Sequence, residues 1–488
     1  MYTVNRGNSL ILLLMAALLF LTLITVAPVN AAIDSSPSVV WQKTYGRSDQ
    51  IPRIIQTSDG GYLFLGLGWS HQMGYQQTAL FKLDSNGNLT WSKDINASDL
   101  VQTYDGGYVV LQSTYSSFAL AKFDKDNEIQ WNHSYSPGYS QVYLRYLVKT
   151  TDGGYFVAGN NATGAGSYKF YGITAGSQRA ASIIKIDSLG KIQWIENYNV
   201  NGTSDILAFE MSTLTATSDG GIAIGGTATM DSHDMNYCIV KINSQGDLEW
   251  VKTFGGTKDD VAYSLIQTSE GGYVIAGNSF SFNNVSIYTS IPKDDPSRRV
   301  DVLSTGGPQA WIVKTDSYGN MVWNHTYEPA VTSGVPDETY WTTAAFITQT
   351  SDGGLAFVGA YRSAESMWLV KMSIDGSLQW DKWFKQSYGM SGGTSVLETS
   401  DGSIIVAGFS QTMPDPWNSE FLLLKTSSVL PPPTPTPSPD PTVVSEIEPS
   451  ANVSFDVWLP VVGFFVALFA ILAFSILYYR RRKVRNIA

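Results

Sequence analysis

Apolar residues fall along this chain in two long runs and many short ones. Leu10 to Val26 is apolar apart from Thr22 and Thr25, and Val457 to Tyr479 carries no charge. Between them, short apolar runs alternate with glycine-containing turns. One turn motif occurs seven times, as Asp59-Gly60-Gly61, Asp105-Gly106-Gly107, Asp152-Gly153-Gly154, Asp219-Gly220-Gly221, Glu270-Gly271-Gly272, Asp352-Gly353-Gly354 and Asp401-Gly402-Ser403. The spacing averages about 57 residues, so internal repeats organise the chain. A short apolar run follows each copy, for example Tyr273-Val274-Ile275-Ala276-Gly277. Asp-Gly-Gly between such runs reads as a hairpin turn, because both central positions can need positive φ. Runs without polar alternation read as strands buried on both faces.

A second hairpin follows in each copy. Lys82-Leu83-Asp84-Ser85-Asn86-Gly87-Asn88-Leu89-Thr90-Trp91 recurs from Lys185 to Trp194 and from Lys314 to Trp323. The seventh copy stops at Phe421-Leu422-Leu423-Leu424-Lys425-Thr426 without a Trp, and the missing strand lies at the other end of the chain, in Val39-Val40-Trp41-Gln42-Lys43-Thr44-Tyr45-Gly46. Four strands per repeat, offset by one strand at the join, predict an all-β, seven-bladed β-propeller over residues 38–426, closed by an N-terminal strand. An open solenoid is the other arrangement such repeats allow, and the split repeat speaks against it.

The paired motifs Thr57-Ser58-Asp59-Gly60-Gly61-Tyr62 and Lys82-Leu83-Asp84 to Trp91 resemble the tandem repeats of secreted bacterial and archaeal propeller proteins. These are similar to the quinoprotein alcohol dehydrogenase-like propeller superfamily, and some are labelled endoglucanase. The resemblance covers about residues 38–426. It implies a propeller fold and an exported protein; most members carry no assigned activity.

The ends set the expected compartment. Arg6, the Leu10–Val26 run and Val29-Asn30-Ala31-Ala32 read as a signal peptide over residues 1–31, with an uncleaved anchor as the other reading. Residues 430–456 contain Pro431-Pro432-Pro433-Thr434-Pro435, an extended polyproline stalk. Residues 457–479 are long enough for a transmembrane helix, and the basic tail over 480–488, with Arg480-Arg481-Arg482-Lys483 and Arg485, places its end in the cytoplasm. The propeller is thus expected outside a cell membrane crossed once. Of 31 Lys and Arg, six lie outside residues 32–456, whereas all 42 Asp and Glu lie within them, so this stretch stands at −17 and the whole chain at −11. That balance excludes a nucleic-acid partner held through phosphates. The single cysteine, Cys238, excludes a disulfide framework and reads as a small core residue of its strand. It also cannot supply the adjacent Cys pair typical of quinone-dependent propellers.

Candidate chemistry is sparse. The Asp-Gly-Gly and Asp-x-x-Gly turns fall on one face, and every long segment, 160–180, 278–308 and 328–341, falls on the other. Variable loops on a rigid scaffold are where binding residues concentrate. There Trp69, Tyr171, Trp341 and Trp417, with Asp259 and Asp260, are the candidates for holding a sugar or peptide. No cofactor is expected, although the acidic Asp294-Asp295 loop leaves room for a surface calcium ion. The Asp84 turn lacks the terminal Glu of a calcium loop and reads as hairpin chemistry. Trp41, Trp91, Trp131, Trp194, Trp250, Trp323 and Trp380 read as packing between blades, and His133 and His325 follow two of them. Sequons mark Asn96, Asn132, Asn161, Asn201, Asn284 and Asn324 as glycosylation candidates, with Asn88 and Asn452 also matching. The expectation is a non-enzymatic surface module for a protein or polysaccharide partner. The alternative is an envelope enzyme, a carbohydrate hydrolase or a quinoprotein-like oxidoreductase, but no constellation of catalytic residues is singled out.

Overall fold

The computed structural model describes residues 36–45, 50–70, 75–114, 117–136, 142–162, 179–198, 206–232, 234–282, 286–290, 300–304, 307–328, 342–361, 366–385, 391–411 and 419–428. The chain divides into two compact units, Met1–Pro431 and Pro432–Ala488. The expected signal peptide, stalk, transmembrane helix and basic tail lie outside the described residues.

Each repeat becomes one four-stranded antiparallel sheet, and there are seven among the described residues. Blade 1 is Gln50–Gln56, Tyr62–Ser70, Tyr75–Leu83 and Leu89–Asp94. Blade 2 is Asp99–Gln102, Tyr108–Ser113, Phe118–Phe123 and Ile129–Tyr135. Blade 3 is Val142–Lys149, Tyr155–Ala162, Arg179–Ile186 and Ile192–Tyr198. Blade 4 is Ile206–Ala216, Ile222–Met230, Met235–Ile242 and Leu248–Phe254. Blade 5 is Asp260–Gln267, Tyr273–Ser279, Gln309–Thr315 and Met321–Tyr327. Blade 6 is Phe346–Gln349, Leu355–Tyr361, Ser366–Met372 and Leu378–Lys385. Blade 7 takes Ser391–Glu398, Ile404–Gln411 and Ser419–Thr426 from the end of the repeat region and Val39–Tyr45 from its start.

The ring closes. First strands of neighbouring blades lie against one another all the way round, with Ser391–Glu398 returning to Gln50–Gln56. The closing strand pairs antiparallel with Ser419–Thr426, from Val39 opposite Thr426 to Tyr45 opposite Phe421. Ser427 N–H donates to Ser38 O at 2.7 Å, which ties the two ends of the ring together.

The apolar runs lack alternation because each sheet is sandwiched between two others. Buried side chains form seven clusters, one in each joint between blades. At the closing joint, Tyr45, Ile405, Ala407, Phe421 and Leu423 of blade 7 pack on Ile54, Tyr62, Phe64 and Leu83 of blade 1. A fully buried large apolar side chain contributes about 2 kcal/mol, against about 1 kcal/mol for a net hydrogen bond. Joint packing therefore supplies the stability, and the polar contacts set alignment.

The turn reading needs one correction. Gly60 takes φ +77°, but Gly61 does not take positive φ. Thr57 O accepts from Gly60 N–H at 2.9 Å and Thr57 N–H donates to Gly61 O at 2.9 Å, a type I turn followed by one left-handed residue. Gly61 is required for space instead, since a Cβ there would sit 2.2 Å from Leu83 O. The 278–308 segment is also more ordered than a loop, because it contains the hairpin Ser286–Ser290 with Val300–Ser304.

Candidate functional site

The two faces of the ring are built differently. On the turn face, the third-strand lysine of every blade reaches the turn carboxylate of the same blade: Lys82–Asp59, Lys122–Asp105, Lys185–Asp152, Lys241–Asp219, Lys314–Glu270, Lys371–Asp352 and Lys425–Asp401, all between 2.7 and 3.0 Å. The lysines are the enclosed partners; Lys371 is 1% exposed and Asp352 34%. The same carboxylates accept from the turn. Asp59 Oδ1 takes the Thr57 hydroxyl at 2.6 Å and Gly61 N–H at 3.0 Å. Burial pushes Asp59 and Asp105 up, but the lysine, the threonine hydroxyl and the glycine N–H together bring each down to about 2. Asp152, Asp219 and Asp352 are held low by the same set of groups, and Asp401 by Lys425, Thr399 and Ser403 in place of the glycine.

The second turns are self-contained as well. Asp84 Oδ1 accepts from Asn86 N–H at 2.9 Å and Asn88 N–H at 2.7 Å, so this carboxylate belongs to the hairpin, as the sequence suggests. Among the described residues no group of three or more His, Cys, Asp and Glu side chains is gathered as a metal would require. Asp294 and Asp295 lie outside the described residues.

Two belts then join turn to turn between blades. In the inner belt, the residue before the turn threonine accepts from a serine N–H of the preceding blade. Gln56 takes Ser400 at 2.9 Å, Gln267 takes Ser218 at 2.8 Å, Gln349 takes Ser269 at 2.8 Å and Glu398 takes Ser351 at 2.6 Å. In the outer belt, fourth-strand aromatics cover the left-handed glycine of the next blade. A Cβ on Gly87 would lie 3.0 Å from the Trp41 ring, and Tyr45 Oη donates to Gly87 O at 2.6 Å. Tyr198 and Tyr327 repeat that bond on Gly246 and Gly376 at 2.6 and 2.7 Å. His133 and His325 press on Gly190 and Gly376. These tryptophans and histidines are thus joint residues, and Cys238 is fully buried in its strand, where burial pushes its thiol up. The lysine–carboxylate pairs and the inner belt were missed from sequence, although the recurrence of Lys, the preceding Thr and an acidic residue (Asp in six copies, Glu270 in the fifth) in all seven was the available signal.

The opposite face carries the long segments. Of the predicted binding residues, Tyr171, Trp341 and Trp417 lie outside the described residues, and Trp69 lies near the loop-face end of the second strand of blade 1. Asp259 and Asp260 start blade 5 at its joint with blade 4. Asp260 is fully buried; its Oδ2 accepts from Gly256 N–H at 2.9 Å and lies 2.8 Å from the Ser281 hydroxyl. Asp259 Oδ1 accepts from Met235 N–H at 3.2 Å, and its carbonyl from Phe280 N–H at 2.9 Å. Both carboxylates therefore knot the loops of two blades together. On that knot stand Phe280, 37% exposed, and Phe282, 39% exposed, whose ring lies 4.9 Å from Trp311. No repeat or motif in the sequence singles out these two rings. Chemically, the edge offers a fixed support with apolar surface above it. Of the sequon asparagines, Asn96, Asn132 and Asn324 are exposed, the Asn161 side chain is not described, and Asn201 and Asn284 lie outside the described residues.

No protein-family model and no curated protein sequence matches this chain. Solved structures similar to it include a protein from Lactobacillus plantarum, 12% identical with TM-score 0.43, covering 75% of this chain and 96% of that one. The β-propeller domain of the Trilobed protease from Pyrococcus furiosus is 8% identical with TM-score 0.42, over 80% and 97%. A polysaccharide lyase is 9% identical with TM-score 0.42, over 78% and 91%. The propeller assignment stands on this chain's own strand pairing.

Proposed function

We propose that the chain is a membrane-anchored surface propeller whose loop face binds a protein or polysaccharide partner. The observation that carries this reading is the contrast between the faces. Recurrent Lys, Asp and Thr side chains are engaged within the turn face, whereas the loop edge of blades 4 and 5 leaves Phe280 and Phe282 uncovered on a buried polar knot. Exposed rings on a fixed support suit stacking on a sugar or burial against a protein. The membrane anchor rests on the uncharged stretch from Val457 to Tyr479 and the arginines after it. The test is a glycan and peptide array on the full-length chain, beside a Phe280→Ala/Phe282→Ala variant with an unchanged melting temperature. Hits lost in the variant and not turned over support the reading. Hits that are turned over, or an array in which every hit survives in the variant, overturn it.

A further inference from the structure

The turn face departs from its own repeat in one sector. The residue before the turn threonine is Gln or Glu in five blades but Lys149 in blade 3 and Ala216 in blade 4; the residue after it is Ser in five but Tyr104 in blade 2 and Thr151 in blade 3. Two of these departures meet. Lys149 Nζ lies 3.6 Å from the centroid of the Tyr104 ring, and Tyr104 Oη donates to Thr150 O at 3.4 Å. Tyr104 is 68% exposed, so one ring face is covered by the ammonium and the other is open. Lys149 also breaks the charge rule of this face. All seven third-strand lysines have a carboxylate within 3.0 Å, whereas Lys149 has none among the described residues. Beside it, Gln102 does not make the bond to Ser58 N–H that its counterparts make elsewhere. A recess of about 490 Å³ lies where blades 7, 1 and 2 meet, bordered by Gln56, Ser58, Gln102 and Glu398, one joint away from Lys149.

We propose that this sector binds a carboxylate-bearing sugar, a uronic acid unit. Lys149 pairs with the carboxylate and the open face of Tyr104 stacks on the pyranose ring, with Gln102, two residues before Tyr104, to meet a sugar hydroxyl. A neutral sugar leaves Lys149 unused, and an acidic peptide such as triglutamate offers no pyranose face to the Tyr104 ring. The surrounding stretch stands at −17, so a cation without a carboxylate partner offers a local attraction to an anion on an otherwise acidic surface. The site is on the face opposite Phe280 and Phe282, and neither proposal depends on the other.

The test uses the full-length chain and calorimetric titration with trigalacturonate, maltotriose and triglutamate. The key variant, Tyr104→Ser/Lys149→Gln, restores the repeat residues, and a Gln at 149 can take the N–H at 104 as in the other joints, so its melting temperature is expected unchanged or raised. Lys149→Gln alone serves if the double variant does not fold. The expected result is trigalacturonate binding at least tenfold tighter than maltotriose and triglutamate, weakened at least tenfold in the variant. Equal trigalacturonate binding by the variant, maltotriose or triglutamate binding that is equal or tighter and is weakened in the variant, or no trigalacturonate binding at millimolar concentration overturns the proposal.

Discussion

Asp352→Asn and Lys371→Met separate the two halves of the turn-face ion pairs, and the structure predicts unequal costs. Lys371 is 1% exposed and has Asp352 Oδ2 at 2.9 Å and Met372 O at 3.3 Å as partners. Asn at 352 keeps an oxygen for the Thr350 hydroxyl and Gly354 N–H but leaves an enclosed ammonium without counter-charge. Breaking a buried pair in this way costs about 3 kcal/mol. Met at 371 keeps the buried stem and removes the charge, and Asp352, a third exposed, then turns to water. That loses about one screened, charge-assisted bond, about 1 kcal/mol. The double variant should match Lys371→Met, because no ammonium remains to be stranded. Urea unfolding followed by tryptophan fluorescence, with calorimetry as a second probe, measures all three. Equal costs for the two single variants, or a double variant worse than Asp352→Asn, would refute the claim that the enclosed lysine dominates the pair.

The turn carboxylates also set an acid limit. Asp59 and Asp105 sit at about 2 in the folded ring, below the ordinary value of about 4. A depressed carboxyl stabilises the fold above its unfolded pKa and loses that contribution as pH falls through the folded one. The melting temperature should hold from pH 7 to 5 and drop between pH 4 and 2; a flat profile down to pH 2 contradicts this. In the inner belt, Gln56→Ala removes the bond across the closing joint and should cost about 1 kcal/mol, whereas Gln102→Ala, which lacks that bond, should be near neutral by calorimetry. Equal losses would show that the belt bond carries none of the effect.

The fold was legible because its signals are local and repeated. Asp-Gly-Gly fixes one hairpin, Lys82 to Trp91 fixes the next, and the Trp-less seventh copy with a stray Trp41 strand names the closure. The lysine–carboxylate pairs were not read because they join residues 17 to 44 positions apart, such as Lys122 with Asp105 and Lys314 with Glu270. Their proximity follows from three-strand registry, not from spacing. The binding face was legible as a face, through loop length. Its contents were not, because Asp260 reads as an acidic loop residue until its burial against Ser281 is seen, and Phe280 and Phe282 sit in the 278–308 segment with no pattern to show which of its side chains stay uncovered.

Removing residues 38–46 tests the closed ring most directly. Loss of Val39–Tyr45 strips the fourth strand from blade 7, uncovers Phe421 and Leu423, and leaves the edge of Ser419–Thr426 unpaired. A large fall in melting temperature, recovered by adding a peptide of residues 36–46, is the predicted result. A truncated chain that melts where the intact one does would contradict closure by this strand.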